Sequence, residues 1–240
     1  METSRLIAIG DIHGCVYALD AVLKAIEPKS GDRIVFLGDM IDQGKETREV
    51  LERIIGLRQE CEVVLIQGNH EEMMFGAREN EQALRYWENC GGVATINSYR
   101  FGGSLGDIPA EHWKLLDTCV PYYETDRFIL THANYVADLP MVEQPDYTLR
   151  WELFDAAKER PHFSGKTVVV GHTEQKNAEI LDLGFAICID TVCCKYGWLT
   201  AIDVTSGEVW QASRWGMMRD AQEKSHRHQL KELLRPVAVA

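Results

Sequence analysis

The chain has no apolar run near the roughly 18 residues that a membrane-spanning helix requires. Its opening, METSRLIAIGD, meets acidic residues too early for a secretion signal. The expected location is therefore the cytoplasm, with no membrane partner. Positive charge is also scarce. Over 240 residues, 25 Lys and Arg face 37 Asp and Glu, giving a net charge of −12 spread along the chain. This argues against a nucleic-acid polymer as partner, but it leaves a nucleotide substrate open, because one local pocket of metal ions can outweigh a negative surface. There is no CxxC pair, so a structural zinc site is not expected. The seven cysteines (Cys15, Cys61, Cys90, Cys119, Cys188, Cys193 and Cys194) are odd in number and scattered, which suits reduced, partly buried thiols rather than a disulfide framework. Neither solenoid-period repeats nor low-complexity tracts occur.

What is present is a repeated strand, loop and helix. RLIAI at 5–9 runs into GDIHG, after which Leu19, Val22, Leu23 and Ile26 recur at helical spacing. RIVFL at 33–37 runs into GDMIDQG, followed by Val50, Leu51, Ile54 and Ile55 on one helical face. EVVLIQ at 62–67 runs into GNHEE, and the charged stretch 71–89 reads as a half-exposed helix. Three such units predict an α/β sheet with a parallel part. Glycines 91, 92, 102, 103 and 106 mark loops, and AEHWKLLDT at 110–118 a helix. Further short strands are RFILT at 127–131, TVVV at 167–170, FAICID at 185–190, GWLTAIDV at 197–204 and EVWQAS at 208–213, and this half reads as antiparallel. The expected division is one domain over 1–216 and a polar helical tail over 217–240, in which His226 and His228 are solvated.

The chemistry gathers where strands end. Asp11 and His13, Asp39, Asn69 and His70, His132, and His172 each follow a strand. Loops at the carboxyl ends of strands share one crevice in open α/β sheets, so these residues are expected to converge. Gly10, Gly38, Gly68 and Gly171 each stand one residue before a ligand candidate and are expected to let the backbone turn sharply. Carboxylates, an amide oxygen and imidazoles suit manganese, iron or zinc better than calcium. Asp11 and Asp39 would repel each other without metal, whereas two divalent ions about 4 Å apart would bind both and clamp a phosphate.

In order and spacing, GDIHG, GDMIDQG, GNHE, His132-Ala133 and Gly171-His172 resemble the phosphoprotein phosphatase family of calcineurin-like metallophosphoesterases. The chain looks most like compact bacterial and phage serine/threonine phosphatases and symmetrical bis(5'-nucleosyl)-tetraphosphatases. The resemblance spans about residues 5–212 and implies an α/β fold, a β-sandwich of mixed sheets flanked by helices. It further implies that Asp11 and His13 hold a first metal, that Asp39 bridges, and that Asn69, His132 and His172 complete the second. His70 would be the general acid, oriented by Asp42, with direct attack by hydroxide activated on the metals and no phosphoenzyme. The two divalent ions are expected to be manganese, with iron or zinc as alternatives. The expected substrates are phosphomonoesters, first of serine or threonine and then of tyrosine in proteins. Diadenosine polyphosphates or other nucleotides are the alternative.

Two positions depart from the family pattern. Gln43 stands where GDxxDRG carries an Arg that binds phosphate; it can donate a hydrogen bond but brings no charge. Lys45 or Arg150 is the expected replacement. The same loss leaves open a regulator that docks phosphorylated partners without turnover. Asn134 stands where relatives carry Gly, and is expected to narrow the cleft beside His132.

Overall fold

A computed structural model describes residues 4–220. The expected tail over 217–240, with His226 and His228, falls mostly outside the described residues. Its first part still belongs to the sheet, since Met218 bridges to Ala212 and the Arg219 N–H donates to Gln211 O at 2.8 Å.

Two mixed five-stranded sheets face each other. In the first, β1 (Leu6–Ile9), β2 (Arg33–Phe36) and β3 (Glu62–Leu65) run parallel; β9 (Trp198–Asp203) joins β1 antiparallel, and β10 (Glu208–Ser213) closes the edge. In the second, β5 (Phe128–Thr131), β6 (Thr167–Val170) and β8 (Ala186–Cys188) run parallel, flanked by antiparallel β4 (Tyr122–Glu124) and β7 (Leu181–Asp182). The expectation of a wholly antiparallel second half is corrected here. The connection 171–185 between β6 and β8 is not a crossover helix but a loop ending in β7, so the usual signal of a parallel pair was missing.

Alternation along the strands builds three apolar layers. Leu6, Ala8, Val35 and Leu37 point between the sheets, where they meet Phe128, Leu130, Val169 and Ile187. Ile7, Ile9, Ile34 and Phe36 point the other way, against α1 (Val16–Ile26) and α2 (Thr47–Leu57). Ile129, Val168 and Val170 face a third cluster with Tyr135, Met141, Leu149 and Phe154, which covers the outer face of the second sheet and includes part of α7 (Asp146–Arg150). Both faces of each sheet are thus covered, which is why its central strands are apolar throughout.

The stretch 71–89 is two helices, not one. α3 (Asn69–Gly76) stops at Gly76, and α4 (Glu81–Trp87) restarts where Asn80 Oδ1 accepts the Ala83 N–H at 2.9 Å. A π-helical turn at Glu88–Gly92 leads into α5 (Val93–Tyr99), and α6 (Ala110–Leu116) follows. The break returns Trp87 to the interior. No helix among the described residues is long and apolar enough to cross a membrane.

Candidate metal centre

The loops leaving β1, β2, β3, β5 and β6 meet at one end of the sandwich. Two sets of donor atoms lie within 4.8 Å of one another: His13, Asp39 and His70, and Asp39, His132 and His172. Asp39 belongs to both. Asn69 joins the second set, its Oδ1 being 3.0 Å from His132 Nε2 and 3.1 Å from His172 Nδ1. Asp11 stands beside them; its carboxylate oxygens accept the His172 backbone N–H at 3.1 and 3.0 Å. Sequence positions as far apart as 11 and 172 are therefore brought together.

Backbone strain concentrates here. His13, Asp39, Asp42, Gln43 and His172 all have φ between 45° and 71°, a left-handed conformation that costs non-glycine residues energy. The glycines work differently from the expectation. Of the four, Gly38 alone has a positive φ, at 104°. At Gly68 a Cβ would overlap Asp39 Oδ1, and at Gly171 it would overlap Asp11 Oδ1, so these two glycines make room for neighbouring carboxylates. A Cβ on Gly10 would lie 2.9 Å from Ile189 O.

The second nitrogen of each imidazole decides its chemistry. His13 Nδ1–H donates to Ile41 O at 3.0 Å, His132 Nδ1–H to Leu37 O at 2.8 Å, and His172 Nε2–H to Trp151 O at 3.1 Å. A carbonyl only accepts, so the other nitrogen of each neutral ring carries a lone pair aimed into the site. Burial holds all three below the usual histidine range, His132 at about 4, against the pull of Asp39. His132 Nε2, His172 Nδ1 and Asn69 Oδ1 are then acceptors crowded together with no proton between them. A cation relieves that crowding, so the donor set fits divalent metal.

His70 differs. Its Nδ1–H donates at 2.8 Å to Asp42 Oδ2, a carboxylate with no solvent exposure. Burial would lower its pKa, but the Asp39 charge and the Asp42 bond outweigh burial and raise it to about 9. Without metal, His70 thus favours its protonated form, unlike the other three imidazoles. Asp42 is itself held: Trp87 Nε1–H donates to Oδ2 at 2.8 Å, and Thr95 Oγ1–H to Oδ1 at 2.6 Å. Burial would raise Asp39, yet His132, His70, His13 and His172 hold it below the usual carboxylate range.

Further residues hold the site, with parts that no motif in the sequence marks out. Glu71 is buried and accepts the N–H groups of Asp39, Met40 and Gly68, each at 2.9 Å, tying two ligand loops together. Burial, then Asp39, raises its pKa to about 7. The signal was available as an acidic residue at the third position of α3, where it caps Gly68 N–H. Trp87, Thr95 and Asp190 carried no such signal. Burial raises Asp190 to about 7, and it lines the cleft. Cys194 donates its S–H to Gln43 Oε1 at 3.0 Å, so one cysteine of the adjacent pair positions Gln43.

The cleft has a volume of about 350 Å³ and is bounded by His13, Asn69, His70, His172, Gln43 and Lys176, among others. Arg150 is not part of its wall. Its Nε–H donates to Glu72 Oε2 at 3.1 Å and its other end pairs with Asp146 Oδ2 at 3.1 Å. Lys45 is exposed and also outside the lining. Asn134 turns away from the cleft, correcting the expected narrowing. Its Nδ2–H groups donate to Leu153 O at 3.2 Å and Glu159 Oε1 at 3.0 Å, so it acts on the cleft only by holding the Leu153 loop.

The family model for calcineurin-like phosphoesterases matches residues 4–197. The chain belongs to this family. A symmetrical bis(5'-nucleosyl)-tetraphosphatase of Pseudomonas fluorescens is 31% identical over 80 residues, 32% of this chain and 26% of that protein. Serine/threonine-protein phosphatase 1 of Salmonella typhimurium is 34% identical over 85 residues, 35% of this chain and 37% of its own. The chain spans at most 63% of the length of the first curated relatives it matches. The cold-active protein-tyrosine phosphatase of a Shewanella species shares the fold, with a TM-score of 0.59, 17% identity and coverage of 90% of this chain and 80% of that one.

Proposed function

We propose that the protein is a metal-dependent phosphatase that hydrolyses phosphomonoesters, first those of serine, threonine or tyrosine in proteins, with manganese as the ion. The observation that carries this reading is the contrast between imidazoles. Three donate to backbone carbonyls and present lone pairs around shared carboxylate and amide oxygens, and a fourth beside them donates to a buried carboxylate. Asp11, His13 and Asp39 would hold one ion; Asp39, Asn69, His132 and His172 would hold the other. When bound, two divalent ions supply positive charge to phosphoryl oxygens and lower the pKa of water.

The chain's own residues do the rest. His70 Nε2–H protonates the leaving oxygen, and Asp42 fixes the ring so that this proton faces the cleft. Trp87 and Thr95 stop Asp42 from rotating away. Gln43, held by Cys194, offers an amide N–H to a phosphoryl oxygen. The likeness to a bis(5'-nucleosyl)-tetraphosphatase supports a second reading, hydrolysis of a nucleotide anhydride. A cleft with few cations favours a single phosphoryl group over a polyphosphate chain.

Phosphopeptides and dinucleotides assayed with manganese distinguish these substrates through kcat/KM. His70→Asn is expected to keep its metal and lose about 10²- to 10⁴-fold in turnover. Full turnover in that variant would contradict the role of His70. Wild-type protein inert toward every ester would instead favour a phosphate-binding regulator.

A further inference from the structure

The cleft is short of positive charge at the place where a phosphate would enter. Gln43 is neutral, Arg150 is held by Glu72 and Asp146, and Lys195 Nζ pairs with Glu174 at 2.5 Å. Lys176 remains. It lines the same cleft as His13, Asn69, His70 and His172, and among the described residues its ammonium makes no ion pair. Glu174, the carboxylate two residues away, is already taken by Lys195.

Its backbone is fixed from both sides. Tyr196 O–H donates to Lys176 O at 3.0 Å, and the Gln175 N–H donates to Asp190 O at 2.9 Å. Gln175 Nε2–H also donates to Thr173 O at 2.7 Å. The segment that follows His172 is thus pinned against the loop carrying Asp190. A flexible stem on a fixed base can bring an ammonium to an incoming oxygen while staying hydrated without it.

We propose that Lys176 is the substrate-binding cation of the cleft, donating to the non-bridging oxygens of the scissile phosphoryl group and favouring a doubly charged monoester over a singly charged diester. This rests on the phosphatase reading above. The oxygens of a monoester dianion carry more charge than those of a diester, so an added ammonium favours the first more strongly.

The test compares wild type with Lys176→Met, Lys176→Arg and Lys24→Met, all loaded with manganese. KM for p-nitrophenyl phosphate is expected to rise about tenfold in Lys176→Met, with a smaller change in kcat. kcat/KM for bis(p-nitrophenyl) phosphate is expected to fall less. Lys176→Arg should recover most of the affinity, and Lys24→Met, on the far helix α1, should behave as wild type. Calorimetric binding of inorganic phosphate, which needs no turnover, is expected to weaken by a similar factor in Lys176→Met at unchanged manganese stoichiometry. If wild type hydrolyses neither ester yet Lys176→Met weakens phosphate binding, the phosphatase reading falls and the cation assignment stands. If Lys176→Met matches wild type in phosphate binding and in KM for the monoester, the assignment of Lys176 is overturned. Equal losses on monoester and diester would overturn the charge selectivity.

Discussion

His13 and His70 lie edge to face, with ring centroids 4.8 Å apart, and both see Asp39. They titrate in opposite directions: burial lowers His13 against the pull of Asp39, whereas at His70 the Asp39 charge and the added Asp42 bond outweigh burial. A general acid works only while protonated, so the His70-dependent rate is present below the pKa of His70 and lost as pH rises through it. Asp42→Asn removes the charge but keeps an oxygen that can accept, and Asn tolerates the φ of 71°. The alkaline limb of the rate profile is expected to move down by about 1–3 pH units, which a kcat/KM profile on an aryl phosphate measures. An unmoved limb would contradict the role given to Asp42. The same linkage applies to folding. A histidine raised from 6.5 to about 9 contributes stability that is fully present below about 6.5 and lost as pH rises through about 9.

Between neighbouring loops, the decisive contacts join residues distant in sequence. A glycine before each ligand was visible in the sequence, but its reason was not, because the overlaps at Gly68 and Gly171 involve Asp39 and Asp11. A turn is a local property that sequence can announce; close approach of two loops is a property of the folded chain. Gly171→Ala is expected to push Asp11 aside and weaken manganese binding about 10- to 100-fold by calorimetry. Unchanged affinity would show that Asp11 is not constrained there. Gly56 is the contrasting case. It sits exposed inside α2 with nothing near its missing Cβ, so Gly56→Ala is expected to stabilise the fold by about 0.5–1 kcal/mol without touching metal affinity. A loss of stability on denaturant unfolding would contradict this. The missed elements have similar physical causes. β4 and β7 are three and two residues long, too short for alternation to register. α3 and α4 share one helical charge pattern, and the break at Gly76 shows mainly in the burial of Trp87.

Across the molecule, the apolar runs β1, β2, β5 and β6 were legible because each is buried on both faces, whereas β3, half-buried at the sheet edge, was legible from its run of Val63, Val64 and Leu65. Their convergence was also legible in outline. The difference lies in the sheets, since the residues gather from two sheets facing each other rather than from one open crevice. That arrangement puts Asp39 between loops of both sheets, where it belongs to both donor groups. Residues that support the site from behind, Trp87 and Thr95, stayed hidden because their partner Asp42 comes from another element. The central claim is that Asp39 joins two ions. Anomalous diffraction from manganese-loaded crystals tests it most directly. Two peaks about 3.5–4 Å apart are expected on either side of Asp39, one toward His13 and Asp11 and one toward Asn69, His132 and His172. A single peak, or peaks that do not share Asp39, would contradict it.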